Sequence, residues 1–286
     1  MDAASKISRR FKQIFKSISN PRLALYIVSK NYIKNYEGFS YHFQYNGERL
    51  LIGRLKDHNI KIVFDVGANI GGWSQIALNT FAQAEVHSFE LVNETYESLK
   101  NNIQSERAIL NQVGLADDFK TVEFKYYGAN KGINKIGLRS VFHDHYLSFE
   151  KRTALVTTLD KYCADNNIEE IDLLKIDVEG AEHLVLKGAT RMLSEKRIRV
   201  IQFEYGYSSG DNHYLIRDFY DLLKAYGYLL GPLKYNGVWF MDFDYGLNNF
   251  NSGPNFVAVL ESEKELIKKL GGQREEDIRY ANGYSH

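Results

Sequence analysis

A chain of 286 residues with 44% hydrophobic and 25% charged side chains fits one globular domain of ordinary size with extensions, and excludes general disorder. Its 36 basic and 36 acidic residues cancel, which removes any global electrostatic drive toward nucleic acid. Cys163 is the only cysteine, so no intrachain disulfide can form and a reducing, cytoplasmic setting is expected; the nearest approach to a membrane span, Leu23–Val28, falls far short of the roughly 18 apolar residues needed.

In chain order, the first feature is a charge asymmetry. Met1 to Lys34 carries eight Lys or Arg against one acid, Asp2. Over Lys6–Ile18, Ile7, Phe11, Ile14, Phe15 and Ile18 share one helical stripe, and Arg9, Arg10, Lys12 and Lys16 occupy much of the remainder. Such a helix packs on its own domain or a sister subunit, or lies on an anionic membrane surface. Pro21 interrupts it, and a mixed, aromatic-rich segment follows to about His58.

From Ile60 the texture becomes β-branched runs alternating with helical stretches, which predicts a parallel α/β architecture. Strands are expected at Lys61–Val66, Glu85–Glu90, Ala108–Val113, Leu173–Asp177 and Arg199–Glu204. Helices are expected at Trp73–Thr80, Thr95–Gln104, Glu182–Ser194 and His213–Tyr226. Gly237–Asp242 and Asn255–Leu260 read as a closing antiparallel hairpin, followed after Glu261 by a short charged helix and a polar tail.

Two motifs carry chemistry. In Ile62–Gly72 (IVFDVGANIGG) an apolar strand delivers Asp65 and then Gly67, Asn69 and Gly71 ahead of a helix. Glycines there let a ligand approach the backbone, but the spacing differs from the dinucleotide fingerprint. A strand-end carboxylate suits a cationic ligand such as S-adenosylmethionine. Glu90, 25 residues further, ends the next strand and can accept from both hydroxyls of a ribose. Gly114, Leu115 and Asp117 follow the third strand and can edge an adenine pocket. The second motif, Ile171–Glu182 (IDLLKIDVEGAE), brings Asp177, Glu179 and Glu182 to one strand end, and Glu204 ends the neighbouring strand. Asp177 and Glu204 are thus candidate ligands for one divalent ion, with magnesium, calcium or manganese favoured by all-oxygen donors.

Together these motifs resemble the FkbM family of S-adenosylmethionine-dependent methyltransferases. The matching residues are Phe64–Gly71, Ser74, Phe89-Glu90, Thr158-Leu-Asp160, Leu174–Glu182, Gly188-Ala189 and Phe203-Glu204, in family order from about Ile60 to Leu260. The resemblance implies a Rossmann-like class I methyltransferase fold, a seven-stranded mostly parallel sheet whose last strand is antiparallel. It implies O-methylation, often of sugars or natural-product hydroxyls, with cofactor binding by Asp65, Gly67, Ala68, Asn69, Gly71, Ser74, Glu90 and Leu91. Leu91 stands where relatives often have proline.

Methyl transfer to a hydroxyl needs alignment, exclusion of water and removal of a proton. Asp177 is the leading base or metal ligand and Glu204 its companion. His143 and His145, in a segment Lys125–Arg152 read as a lid, are further base candidates, as is His213. The expected division is an N-terminal basic extension (1–58), a cofactor-binding domain (59–262) and a C-terminal tail (263–286). The expected partner is a small-molecule or glycan hydroxyl acceptor, not nucleic acid. The competing readings are a nicotinamide-dependent dehydrogenase, a catalytically silent cofactor-binding module held to a membrane or synthase by its N-terminal helix, and a nucleic-acid methyltransferase.

Overall fold

The main strands form where apolar, β-branched runs meet, and two of them sit at the centre of the sheet. The computed structural model describes residues 20–36, 43, 46–129, 134–136, 147–248 and 254–272. Helices α1 (Pro21–Tyr36) and α2 (Glu48–Leu55) precede β1 (Ile62–Val66), α3 (Gly72–Thr80), β2 (Glu85–Phe89), α4 (Asn93–Asn102) and β3 (Ala108–Asn111). A second group follows: β4 (Gly114–Leu115), β5 (Lys120–Tyr126), β6 (Lys135–Ile136) and β7 (Glu150–Thr157). The chain then returns through α5 (Leu159–Asp165), β8 (Ile171–Ile176), α6 (Glu182–Lys187), α7 (Thr190–Ser194) and β9 (Ile198–Glu204). It closes with α8 (Tyr207–Asp211), α9 (Ile216–Ala225), β10 (Tyr228–Lys234), β11 (Gly237–Val238), β12 (Asn255–Leu260) and α10 (Lys264–Leu270).

The large sheet has the order β11-β10-β12-β9-β8-β1-β2-β3. Strands β3, β2, β1, β8 and β9 are parallel, and β12 lies antiparallel between β9 and β10. Apart from the two-residue edge strand β11, this is the seven-stranded sheet with an antiparallel last strand that was expected. Side chains alternate between two cores, as period-2 geometry requires. Phe64, Leu174 and Phe203 pack with Phe219 and Phe256 on one face, while Val63, Leu173 and Val200 pack with Trp73 and Val257 on the other.

Several expectations need correction. The closing pair is not Gly237–Asp242 with Asn255–Leu260. Strand β10 occupies the position beside β12, and only Gly237 and Val238 pair regularly with it. Residues beyond them follow β10 through single bonds, Trp239 N–H to Pro232 O at 3.1 Å and Met241 N–H to Leu230 O at 3.0 Å. The expected helix Glu182–Ser194 breaks into α6 and α7 at Gly188. The backbone there passes so close to Ala116 that a Cβ would lie 2.0 Å from its carbonyl oxygen. The helix expected over His213–Tyr226 begins at Ile216 instead, and Tyr207–Asp211 forms a separate turn of helix.

The divisions at 58 and 263 cut through a shared core. Leu51, Ile52 and Leu55 of α2 and Leu266 and Leu270 of α10 are buried with Val63, Leu233 and Val257. Full burial of such side chains contributes roughly 2 kcal/mol each before entropy is counted, so these helices help stabilise the core they share. Arg54 reinforces the junction, donating to the carbonyls of Leu270 (2.9 Å), Gly271 (3.0 Å) and Asn236 (2.9 Å). The Lys6–Ile18 stripe lies outside the described residues. Among the described residues, no helix is long and apolar enough to cross a membrane.

Candidate active site

At the carboxyl edge of the sheet, β1 runs into a turn held by backbone bonds. Gly67 and Ala68 both donate to Phe89 O (3.0 and 2.9 Å), fixing the turn against the end of β2. Gly67 has φ 86°, and a Cβ there would fall 1.8 Å from Asp177 O, so only glycine fits. Gly67→Ala is therefore expected to lower stability by at least about 2 kcal/mol, read from the urea midpoint; an unchanged midpoint would contradict this close approach. Asn69 sits at φ 50°, a conformation Asn tolerates better than most residues. Its N–H donates to Glu90 Oε2 at 2.9 Å, while Val92 N–H donates to Glu90 Oε1 at 2.8 Å. Burial pushes Glu90 above the usual glutamate range, against the pull of these two amides. Each carboxylate oxygen still has accepting capacity for a further donor.

The second motif forms the opposite wall. Asp177 N–H donates to Val66 O at 2.9 Å, pinning β8's end to β1's. Glu179 then adopts φ 57° and Gly180 φ 101°, and strain of this kind in a non-glycine residue costs on the order of 1 kcal/mol. The loop is held from beneath by Glu182, whose Oε1 accepts from Val178 N–H and Gly180 N–H at 3.0 Å each. Its other oxygen is buried without a hydrogen-bond partner. Burial pushes the Glu182 carboxyl up to about 7.

That shift carries a sign. The folded state holds the Glu182 proton at pH values where the unfolded chain has released it, so stability falls as pH rises through the window from the ordinary glutamate value toward about 7. Glu182→Gln keeps an acceptor for the two amides. It is expected to flatten that slope and to raise the melting temperature at pH 8, which thermal unfolding at pH 5 and pH 8 would check.

Three carboxylates converge here. Oxygen atoms of Asp177, Glu179 and Glu204 lie within 4.8 Å of one another. Glu204 is pushed well above its ordinary value, first by burial and then by the charge of Asp177, to which its carboxyl donates a hydrogen bond. Burial alone would raise Asp177 as well, but the Lys175 ammonium and the Glu204 hydrogen bond outweigh it and hold Asp177 low. Glu204 is thus pushed toward its neutral form and Asp177 toward its ionised form, with one hydrogen bond between them.

Lys175 is the buried cation behind the pair. It lies two residues before Asp177, on the same side of β8, and opposite Asp65 in the β1 register. Its Nζ is 3.1 Å from Asp177 and 3.3 Å from Asp65, and it lies 5.7 Å from the centre of the Trp73 ring. Burial opposes the ammonium, yet Asp177, Asp65 and Glu48 together hold it charged. Glu48 comes from α2 and is itself buried. Its carboxylate accepts from Asn46 and, at 2.6 Å, from the Gln202 amide, which also donates to Asn255 at 3.1 Å. Sequence reasoning gave neither Lys175 nor Glu48 a role. A lysine flanked by Leu173, Leu174 and Ile176 in a fully buried strand was the available signal, because such a charge requires a partner.

Among the expected cofactor residues, Gly67, Asn69, Glu90, Leu91, Gly114 and Leu115 line one cleft with Asp177 and Glu179. Val92, Thr95 and Asn134 also line it, and none of them was anticipated. Asp65 is not in the lining. It is fully buried, accepting from Ser74 at 2.6 Å and facing Lys175, so it supports the turn from below and its carboxylate does not meet the cleft. Ser74, Ala68 and Gly71 are buried and likewise absent from the lining, and Asp117 sits at the surface, paired with Lys120 at 2.8 Å. Glu204 stands behind Asp177, outside the lining.

The segment read as a lid is partly strand. β5 and β7 bracket it in a four-stranded sheet, β4-β7-β5-β6. Asn134 reaches the cleft from there, anchored by accepting from Tyr127 N–H at 2.8 Å. Arg152 ties the same sheet to α4 through Glu94 at 2.6 Å while lying 3.5 Å from the centre of the Tyr126 ring. His143 and His145 lie outside the described residues. His213 caps a turn beyond α8 at φ 57°, outside the cleft lining. The remaining motif residues are structural. Thr158 caps α5 by accepting from Lys161 N–H, and Asp160 accepts from the Arg191 and Met192 amides at the start of α7.

Comparison with known proteins finds one family model over more than half of the chain. A family model described as the methyltransferase FkbM domain matches residues 65–230. Methyltransferase sdnD of Sordaria araneosa is 29% identical over 153 residues, covering 44% of this chain and 59% of the relative, so the chain spans under two thirds of that protein's length. Methyltransferase FkbM from Methylobacillus flagellatus KT aligns over 89% of this chain and 59% of its own, with 13% identity and a TM-score of 0.46. The plantazolicin methyltransferase BpumL, solved in complex with SAH, aligns over 90% of this chain and 100% of its own, with 10% identity and a TM-score of 0.41.

Proposed function

This chain belongs to the FkbM methyltransferase family, and from that premise we propose that it transfers a methyl group from S-adenosylmethionine to a hydroxyl of a sugar, glycoside or related natural product. One observation carries the proposal: the Asp177 carboxylate, with the Lys175 ammonium 3.1 Å behind it, opens onto the same cleft as Glu90. S-adenosylmethionine supplies, when bound, a methyl carbon already activated by its sulfonium.

The residues present fit that cofactor. Glu90 keeps accepting capacity on both oxygens, as a ribose diol needs. Gly67 and Asn69 offer backbone at close range, and Leu91 and Leu115 give apolar flanks for a base. Asp177 accepts the proton of the acceptor hydroxyl, and the Lys175 ammonium steadies its position. The second sheet, through Asn134, helps exclude water.

A second reading has its own support. The Asp177, Glu179 and Glu204 oxygens form an all-oxygen donor set, which suits magnesium or calcium and would lower the acceptor's pKa without a free base.

Calorimetric titration tests the proposal. The chain is expected to bind S-adenosylmethionine and not NAD, with Glu90→Ala weakening affinity at least about tenfold through loss of charge-assisted hydrogen bonds. Magnesium in one arm reports on the metal reading. Binding of NAD in place of S-adenosylmethionine would return the cleft to the dehydrogenase reading.

A further inference from the structure

Among the described residues, helix α1 has one side packed on its own protein and one side exposed. Ala24 and Val28 are buried, whereas Leu23 (48%), Leu25 (58%) and Tyr26 (58%) are exposed. Arg22 and Lys30 share that outer face, with the Lys30 ammonium 5.7 Å from the Tyr26 ring centre. The helix contains no acid at all. Leucine and tyrosine interleaved with basic side chains match the water–lipid boundary, where aromatic rings sit at headgroup level and cations meet lipid phosphates.

Charge segregation points the same way. Residues up to Lys34 hold eight Lys or Arg and one acid in a chain whose totals are 36 and 36, so the remainder is net acidic. An anionic surface attracts this end and repels the rest, which orients the molecule. A second copy docked face to face would set Arg22 and Lys30 against their own symmetry mates. Nucleic acid would match the charge but leave Leu23 and Leu25 without a partner.

We propose that the outer face of α1 docks this protein on an anionic lipid bilayer, with Leu25 and Tyr26 entering the headgroup region and Arg22 and Lys30 meeting lipid phosphates. The test is flotation of the full chain with phosphatidylcholine vesicles, with and without phosphatidylserine, at low salt and at about 0.5 M salt.

Binding is expected only with phosphatidylserine and is expected to fall at high salt. Leu25→Ser/Tyr26→Ser and Arg22→Gln/Lys30→Gln are each expected to weaken it at least about tenfold, the second because one basic residue near such a surface is worth about fivefold. All four side chains are exposed, so melting temperatures should not move. No binding to phosphatidylserine vesicles at low salt would overturn the proposal, as would equal binding to neutral vesicles. Binding untouched by the Ser pair would assign the contact to charge alone and also overturn it. Self-association in sedimentation equilibrium, abolished by the Ser pair, would give the face to a second copy instead.

Discussion

Replacing Asp177 with Asn is expected to slow methyl transfer by about 10²- to 10⁴-fold, the range a positioned general base supplies. The substitution keeps the side chain's shape and its place at the end of β8, because that place is set by the backbone bond to Val66. What it removes is the proton acceptor. Asn cannot take a proton from a hydroxyl, and Glu204, although it loses the Asp177 charge that helps raise it, lies outside the cleft lining and does not meet the acceptor. Lys175 retains Asp65 at 3.3 Å and the charge of Glu48, so the fold should survive. The rate is read as S-adenosylhomocysteine release across a panel of sugars and glycosides, with cofactor affinity measured alongside. An Asn variant within tenfold of the parent, with affinity unchanged, would remove Asp177 from the proton-accepting role.

Lys175→Met should have the largest effect on stability, a loss of about 3–5 kcal/mol in urea unfolding. Methionine fills a similar volume beside Trp73, so packing loss is small. The cost comes from Asp65, which has no solvent exposure and would keep only the Ser74 hydroxyl. Adding Asp65→Asn to the Met variant removes the stranded charge and should recover part of the loss, a coupling that a double-mutant cycle isolates. A single-variant loss below about 1 kcal/mol would mean that water or a neighbouring group already satisfies Asp65, and that the buried ion network contributes little.

The parts of the fold that could be read from sequence were those with strong local signals. β1, β2, β8 and β9 are apolar runs ending in an acid or a glycine turn, and each lies within a residue or two of its expected position. β10 was hidden by its own composition. It contains Gly231 and Pro232, residue types that break a strand pattern, yet at Gly231 a Cβ would approach within 1.9 Å of Trp239 O, and the Pro232 carbonyl accepts from Trp239 N–H. β5 and β7 were hidden for a different reason. They pair mainly with each other and leave Lys120, Thr121, Glu150 and Lys151 exposed, so neither shows the apolar signature of a core strand.

The same contrast holds in the site. Asp177, Glu179, Glu90 and Glu204 end buried strands or follow them directly, and position alone nominates them. Asp65, expected to face a ligand cation, faces the ammonium of Lys175, 110 residues away. Nothing local in the sequence announces that pairing. Glu48 is more remote in kind, since it reaches the network from a helix that the domain boundary had excluded.

The Glu48 contact also bears on how the protein could be shortened or recombined. The matched family segment begins at Asp65, so a fragment cut there, or at Ile60, would look complete by sequence. It would nonetheless lack one of the three anions around Lys175, leave the Gln202 amide with one acceptor fewer, and uncover Leu233 and Val257 where α2 had covered them. The catalytic module is thus not an exchangeable cassette. Grafting another relative's leading segment onto this domain should succeed only when an acidic side chain arrives at the place of Glu48, and drift at Glu48 and at Gln202 should occur in step.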